Sequence, residues 1–168
     1  MTKFIEALNK FSNIPFEDKK ELILTIGLML EKEKFTFTDP LHQVYSGLLP
    51  NELINYSMSD DEFNSLIDFL LQHAEFSVER DLLPDIFWAL GKSLENRVSL
   101  FINNFLLNHW RNDEEVTYQA IIALENNLIN ESKEILKLIS EEDQGKSGTH
   151  LRELIEDSLE NNDNFWST

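Results

Sequence analysis

The chain has 168 residues, 31 of them Asp or Glu against 14 Lys or Arg, for a formal charge of −17 and a pI near 4.5. Phosphate recognition rests on Lys and Arg, so this balance excludes an exposed nucleic-acid surface and disfavours anionic membranes. A hydrophobic share of 42% is too high for a solvated tail, and the absence of cysteine removes disulfides, thiolate metal sites and cysteine nucleophiles.

With 5 glycines, 4 prolines and almost no strand-like alternation, the chain shows apolar residues at helical spacing. An all-α fold is expected, as a single domain over 1–168. Phe4, Ile5, Leu8 and Phe11 mark a first short helix with Thr2 as its cap, and Ile14-Pro15 ends it. A second helix is expected from Phe16 to Lys32. Lys19-Lys20 ahead of the apolar run Leu22–Leu30 imitate a secretory signal, but Glu21 and Glu31 flank the run. It is also far short of the roughly 20 residues that span a bilayer. A helix covered on all sides by its neighbours is expected instead, in a protein that stays in the cytoplasm. Residues 33–58 are irregular. Asp39-Pro40 reads as a cap with Gly47 as the stop, Leu49-Pro50 opens a short turn through Tyr56, and Phe35-Thr-Phe-Thr38 alone is strand-like.

Residues 59–168 are more regular. Ser59-Asp-Asp-Glu62 is a capping box, and it opens a helix carrying Phe63, Ile67, Leu70, Leu71 and Ala74. Further helices are expected over 79–91, 95–109, 113–128, 131–139 and 149–160, and the short links imply antiparallel neighbours. The polar stretch 140–148 reads as a loop.

Asp81-Leu82…Ala89-Leu90 and Glu115-Val116…Ala123-Leu124 match at a spacing of 34. A period of that size belongs to stacked helical hairpins. A short, irregular array of antiparallel hairpins is therefore expected, with a compact helical bundle as the alternative. At about 100° per residue, Leu82, Leu83, Ile86, Phe87 and Leu90 share one arc, and Trp88 lies opposite. Val116, Ala120, Ala123, Leu124 and Leu128 form the matching arc, and Tyr118 and Ile122 fall away from it. The shift superimposes Asp81 on Glu115, Asp85 on Gln119 and Trp88 on Ile122. Stacked hairpins would join Asp81, Asp85, Trp88, Glu115, Tyr118 and Ile122 into an aromatic stripe edged with carboxylates, the expected partner-binding surface. Packing of Trp88 inside the protein, for instance on Phe69, is the competing possibility. It would move the surface toward the acidic segments around Glu141–Asp143 and Glu153–Glu160. Residues 113–168 hold 14 acids and 4 bases, against 17 and 10 in the first 112 residues. Such a field attracts basic partners.

No catalytic constellation is found. Gly145-Lys146-Ser147 imitates the end of a phosphate loop, but Ser140 stands where its first glycine belongs and Glu141-Glu142-Asp143 would repel phosphate. His42, His73, His109 and His150 stand singly, and His109, beside Phe105 and Leu106, reads as a packed histidine. No Gly-x-Ser-x-Gly elbow is present. Neither a catalytic nor a cofactor nor a metal set is expected, and the chain does not read as an enzyme.

Asp113-Glu-Glu-Val116…Ala120…Ala123-Leu124 resembles the Asp-x-x-Val…Ala…Ala-Leu pattern of HEAT-like repeats, over about residues 79–139, with Thr117 where such repeats often carry Arg. With this segment, its size, charge and helical pattern, the chain resembles the all-helical, HEAT-like immunity proteins of bacterial contact-dependent growth inhibition. The resemblance implies a monomeric cytoplasmic protein that binds a cognate toxin domain, often a basic nuclease, over its active site or substrate groove, without a cofactor. A helical-repeat adaptor in a regulatory complex is the alternative.

Overall fold

The computed structural model describes residues 2–34, 48–76, 79–143 and 148–165, and every regular element in them is helical. The fold is all-α. In chain order the α-helices are α1 (Thr2–Asn9), α2 (Phe16–Lys34), α3 (Asn51–Ile54), α4 (Asp60–Phe76), α5 (Leu83–Gly91), α6 (Asn96–His109), α7 (Glu114–Glu125), α8 (Asn130–Asp143) and α9 (Gly148–Phe165). Short 3-10 turns at Phe11–Asn13 and Arg80–Leu82 precede α2 and α5. The features expected at Phe35–Thr38, Asp39-Pro40, His42, Gly47 and Gly145–Ser147 lie outside the described residues. The expected loop over 140–148 is corrected in part, because α8 continues to Asp143 and α9 begins at Gly148.

Packing divides the chain into two compact units, Met1–Ser93 and Leu94–Thr168. Helix α4 packs on both α2 and α5, which ties the segments before and after residue 58 into one core.

In the first unit α5 lies against α2 and α4, burying Ile86, Phe87, Ala89 and Leu90. The apolar run of α2 is covered nearly all round, as expected of a helix with neighbours on several sides. Leu24, 41% exposed, is the exception. Gly27 permits the close approach: a β-carbon there would stand 2.4 Å from Cζ3 of Trp88 and 3.1 Å from Cα of Ala89. Ion pairs at buried side chains brace α2. Buried Lys19 donates to both carboxylate oxygens of Glu79 at 2.9 and 2.8 Å. Buried Glu31 accepts from Lys92 at 3.0 Å, and that ammonium also lies 5.2 Å from the centre of the Trp88 ring.

The capping box forms as expected, with the Ser59 amide donating to Glu62 at 2.9 Å and the Glu62 amide to Ser59 Oγ at 3.3 Å. Tyr56 adds a hydroxyl donor to the same Glu62 carboxylate. Lys32 of α2 donates to the carbonyls of Leu53, at 3.3 Å, and Tyr56. These carbonyls lie at and just beyond the C-terminal end of the short helix α3, where intrahelical donors run out.

The second unit consists of two hairpins, α6–α7 and α8–α9. Its principal contacts run α6–α7, α8–α9, α6–α8 and α7–α9. An up-and-down bundle would instead pair α7 with α8 and α6 with α9. Stacked hairpins give the observed set, so the array is the arrangement in this unit. Asn127 after α7 donates to Asn96 at the start of α6 at 3.0 Å, which makes that hairpin antiparallel. Ser158 of α9 donates to Glu125 at the end of α7, so the two outer helices run side by side in the same sense. The register continues the sequence period: α6 and α8 start at residues 96 and 130, and α7 and α9 at 114 and 148, each pair 34 apart.

Candidate interaction surface

Helix α7 starts at Asp113, whose side chain accepts from the Val116 amide at 3.1 Å. Thr117 then donates from one hydroxyl toward the carbonyls of Trp110 (2.9 Å) and Asp113 (2.8 Å), fixing the turn from α6. These ties set the rotation of α7. Val116, Thr117, Ala120, Ile121, Ala123 and Leu124 are buried, a wider arc than expected because α6 and α9 both flank the helix. Leu128, expected in that arc, lies beyond the end of α7 and is only half-buried.

Outside that arc Glu115 (exposed), Tyr118 (38% exposed) and Ile122 (half-buried) form a stripe with spacing i, i+3, i+7, with exposed Glu114 and half-buried Gln119 beside it. No Lys or Arg occurs from Asp113 to Glu125. On the neighbouring α9, Glu153, Glu156, Asp157 and Glu160 are exposed. Counted by the 34-residue offset of the helix starts, Arg152 corresponds to Tyr118 and Glu156 to Ile122. Arg152 donates to Glu156 at 2.8 Å, and this bond holds its guanidinium even more firmly protonated than usual. Its charge is thus already matched within α9. Tyr118 and these exposed carboxylates thus lie on neighbouring helices of the same unit.

The six residues of the sequence-derived stripe are divided between the two units. Glu115, Tyr118 and Ile122 share a face in the second unit, whereas Asp81, Asp85 and Trp88 belong to the first. Asp81 is exposed. Asp85 is half-buried, with Lys20 at 3.8 Å; burial raises its carboxyl pKa and the lysine opposes that shift. Trp88 does not stand clear of the fold, as the stripe required: its indole packs on Gly27 beneath Lys92. Phe69, the other expected neighbour, faces Phe11 and His73 instead, with ring centroids 5.1 and 4.2 Å away.

The histidines are placed separately. His73 donates to the Phe69 carbonyl at 2.8 Å. His109, expected to be packed, is exposed at the end of α6, its ring 5.0 Å from Phe105. His150 is exposed beside Glu153. Among the described residues no group of three or more His, Asp or Glu is placed to hold a metal ion, and no helix is long and apolar enough to cross a membrane.

The last hairpin escaped the sequence-level repeat because the residue types change at matched positions, Val98 to Ser132 and Val116 to His150. The matched positions Ile102 and Leu136, and Ile121 and Ile155, are buried in both hairpins. Comparison with protein-family models, curated proteins and solved structures finds no match to the chain.

Proposed function

We propose that the protein is an immunity protein: it binds a basic toxin domain through the α7–α9 face and neutralises it by covering its active site or substrate groove. The observation that carries this is Tyr118, 38% exposed on a helix without a cation and flanked by exposed carboxylates. A nuclease domain presents Lys and Arg to the phosphates of its substrate, and a carboxylate-rich face competes for those groups. Tyrosine supplies the apolar anchor that hot spots need, and the surrounding charge steers the approach. The resemblance of Asp113–Leu124 to HEAT-like immunity proteins points the same way. On this reading the protein acts as a monomer in the cytoplasm, has no catalytic role and needs no cofactor.

The test is co-expression with the product of the gene directly upstream. The chain should restore growth to cells making that product, and a variant carrying Tyr118→Ala and Glu115→Lys should not. Toxicity unaffected by the intact chain would overturn the immunity role. Stable binding of a non-toxic basic protein to the same face would replace that role with an adaptor's.

A further inference from the structure

The first unit carries a concavity, far in sequence from α7 and α9. A cavity of about 270 Å³ opens between α1, α2 and α3. Phe4, Leu22 and Leu53, all buried side chains, line it, and the exposed carboxylates Asp18, Glu21 and Glu52 edge it. The charged residues described along its lining are all acidic. The neighbouring lysines of α2 are committed elsewhere, Lys19 to Glu79 and Lys20 to Asp85.

The volume is below the roughly 300 Å³ at which sites for drug-sized ligands begin, and suits one aliphatic or aromatic side chain. Charge then selects what carries that side chain. An anionic segment would bring like charges together at the edge, and a second copy of this chain brings a net −17 of its own. A segment with Lys or Arg on either side of the anchor gains at the same three carboxylates.

We propose that this groove docks a cationic peptide segment of a partner protein, with one aliphatic or aromatic side chain in the cavity and flanking Lys or Arg residues against Asp18, Glu21 and Glu52. The site is independent of the α7–α9 face, so its failure would leave the toxin-binding reading untouched.

The full-length protein is titrated by NMR with the peptide acetyl-Lys-Arg-Leu-Arg-Lys-amide. The expected result is saturable shifts at Ala7, Thr25 and Leu53, weakened about tenfold or more when the peptide leucine becomes glycine. Acetyl-Glu-Asp-Leu-Asp-Glu-amide should leave those signals in place. Ala7→Phe, which fills the cavity, should abolish the shifts. Glu21→Lys with Glu52→Lys, on exposed positions that do not threaten folding, should weaken them by a similar factor. Equal response to the acidic or glycine peptide, no saturation at millimolar peptide, or a response unchanged by the double charge reversal would each overturn the proposal. So would nuclear Overhauser contacts showing the cavity filled by another part of the same chain or by a second copy.

Discussion

Gly27 and Trp88 meet so closely that a β-carbon on the glycine would lie 2.4 Å from the indole. Helices α2 and α5 thus share a contact that only glycine permits. Gly27→Ala gains about 1 kcal/mol of helix propensity but overpacks the contact at a cost of about 1–3 kcal/mol. The Ala89 backbone at 3.1 Å cannot swing aside, so a net loss of stability is expected. In a Trp88→Ala background the same change should cost less, because only the Ala89 contact remains. Denaturant unfolding of the four proteins measures this coupling; additive effects would show that the two residues do not constrain each other.

Glu31, 6% exposed, is held by Lys92 at 3.0 Å. Lys92→Met takes its cation from a buried carboxylate, and a loss of up to about 3 kcal/mol is expected. Adding Glu31→Gln removes the buried charge and should restore part of that stability. A double variant as unstable as the single one would mean that Lys92 acts through its packing on Trp88.

The Tyr56 hydroxyl, with further help from the Ser59 amide and hydroxyl, holds the Glu62 carboxyl below its ordinary 4.5. Folding then releases protons at this group. Its contribution is fully present above pH 4.5 and is lost as pH falls through the lowered folded-state value. Tyr56 itself is raised above 10.0, chiefly by the same bond, so its hydroxyl stays protonated and keeps donating throughout this acid range. Tyr56→Phe should move the Glu62 midpoint up toward 4.5 in a carboxyl NMR titration. An unmoved midpoint would assign the shift to Ser59.

Asn103 is 4% exposed, and its side-chain amide makes no hydrogen bond among the described residues. Asn103→Leu keeps the branching and removes the buried polar group, so stability should rise by about 1–2 kcal/mol. A lower melting temperature would show that the amide is satisfied in solution.

Much of this fold is legible in the sequence because local chemistry decides it. Ser59 and Glu62 form the expected capping box, and Leu82, Leu83, Ile86, Phe87 and Leu90 form the expected buried arc. The continuation of the 34-residue spacing into α8 and α9 was not legible, since buried positions there accept Ser132 and Ser158 in place of aliphatic residues. The orientation of Trp88 was equally hidden. A helical wheel places it off the main arc of α5, but only the glycine on α2 reveals that a second face is packed. The exposure of Tyr118 and Glu115 was legible from periodicity, because both fall off the buried arc of α7.

The most direct measurement is the affinity of the upstream gene's product for the intact chain and for Tyr118→Ala, by titration calorimetry, with melting temperatures from the same samples. Loss of a hot-spot aromatic corresponds to about thirtyfold weaker binding or more, and a side chain 38% exposed should leave the melt unchanged. Binding of the intact chain should also weaken steeply as salt is raised, since screening removes the attraction of the α7–α9 carboxylates. Equal affinity of the two proteins, with the same salt dependence, would contradict the assignment of this face to a basic partner.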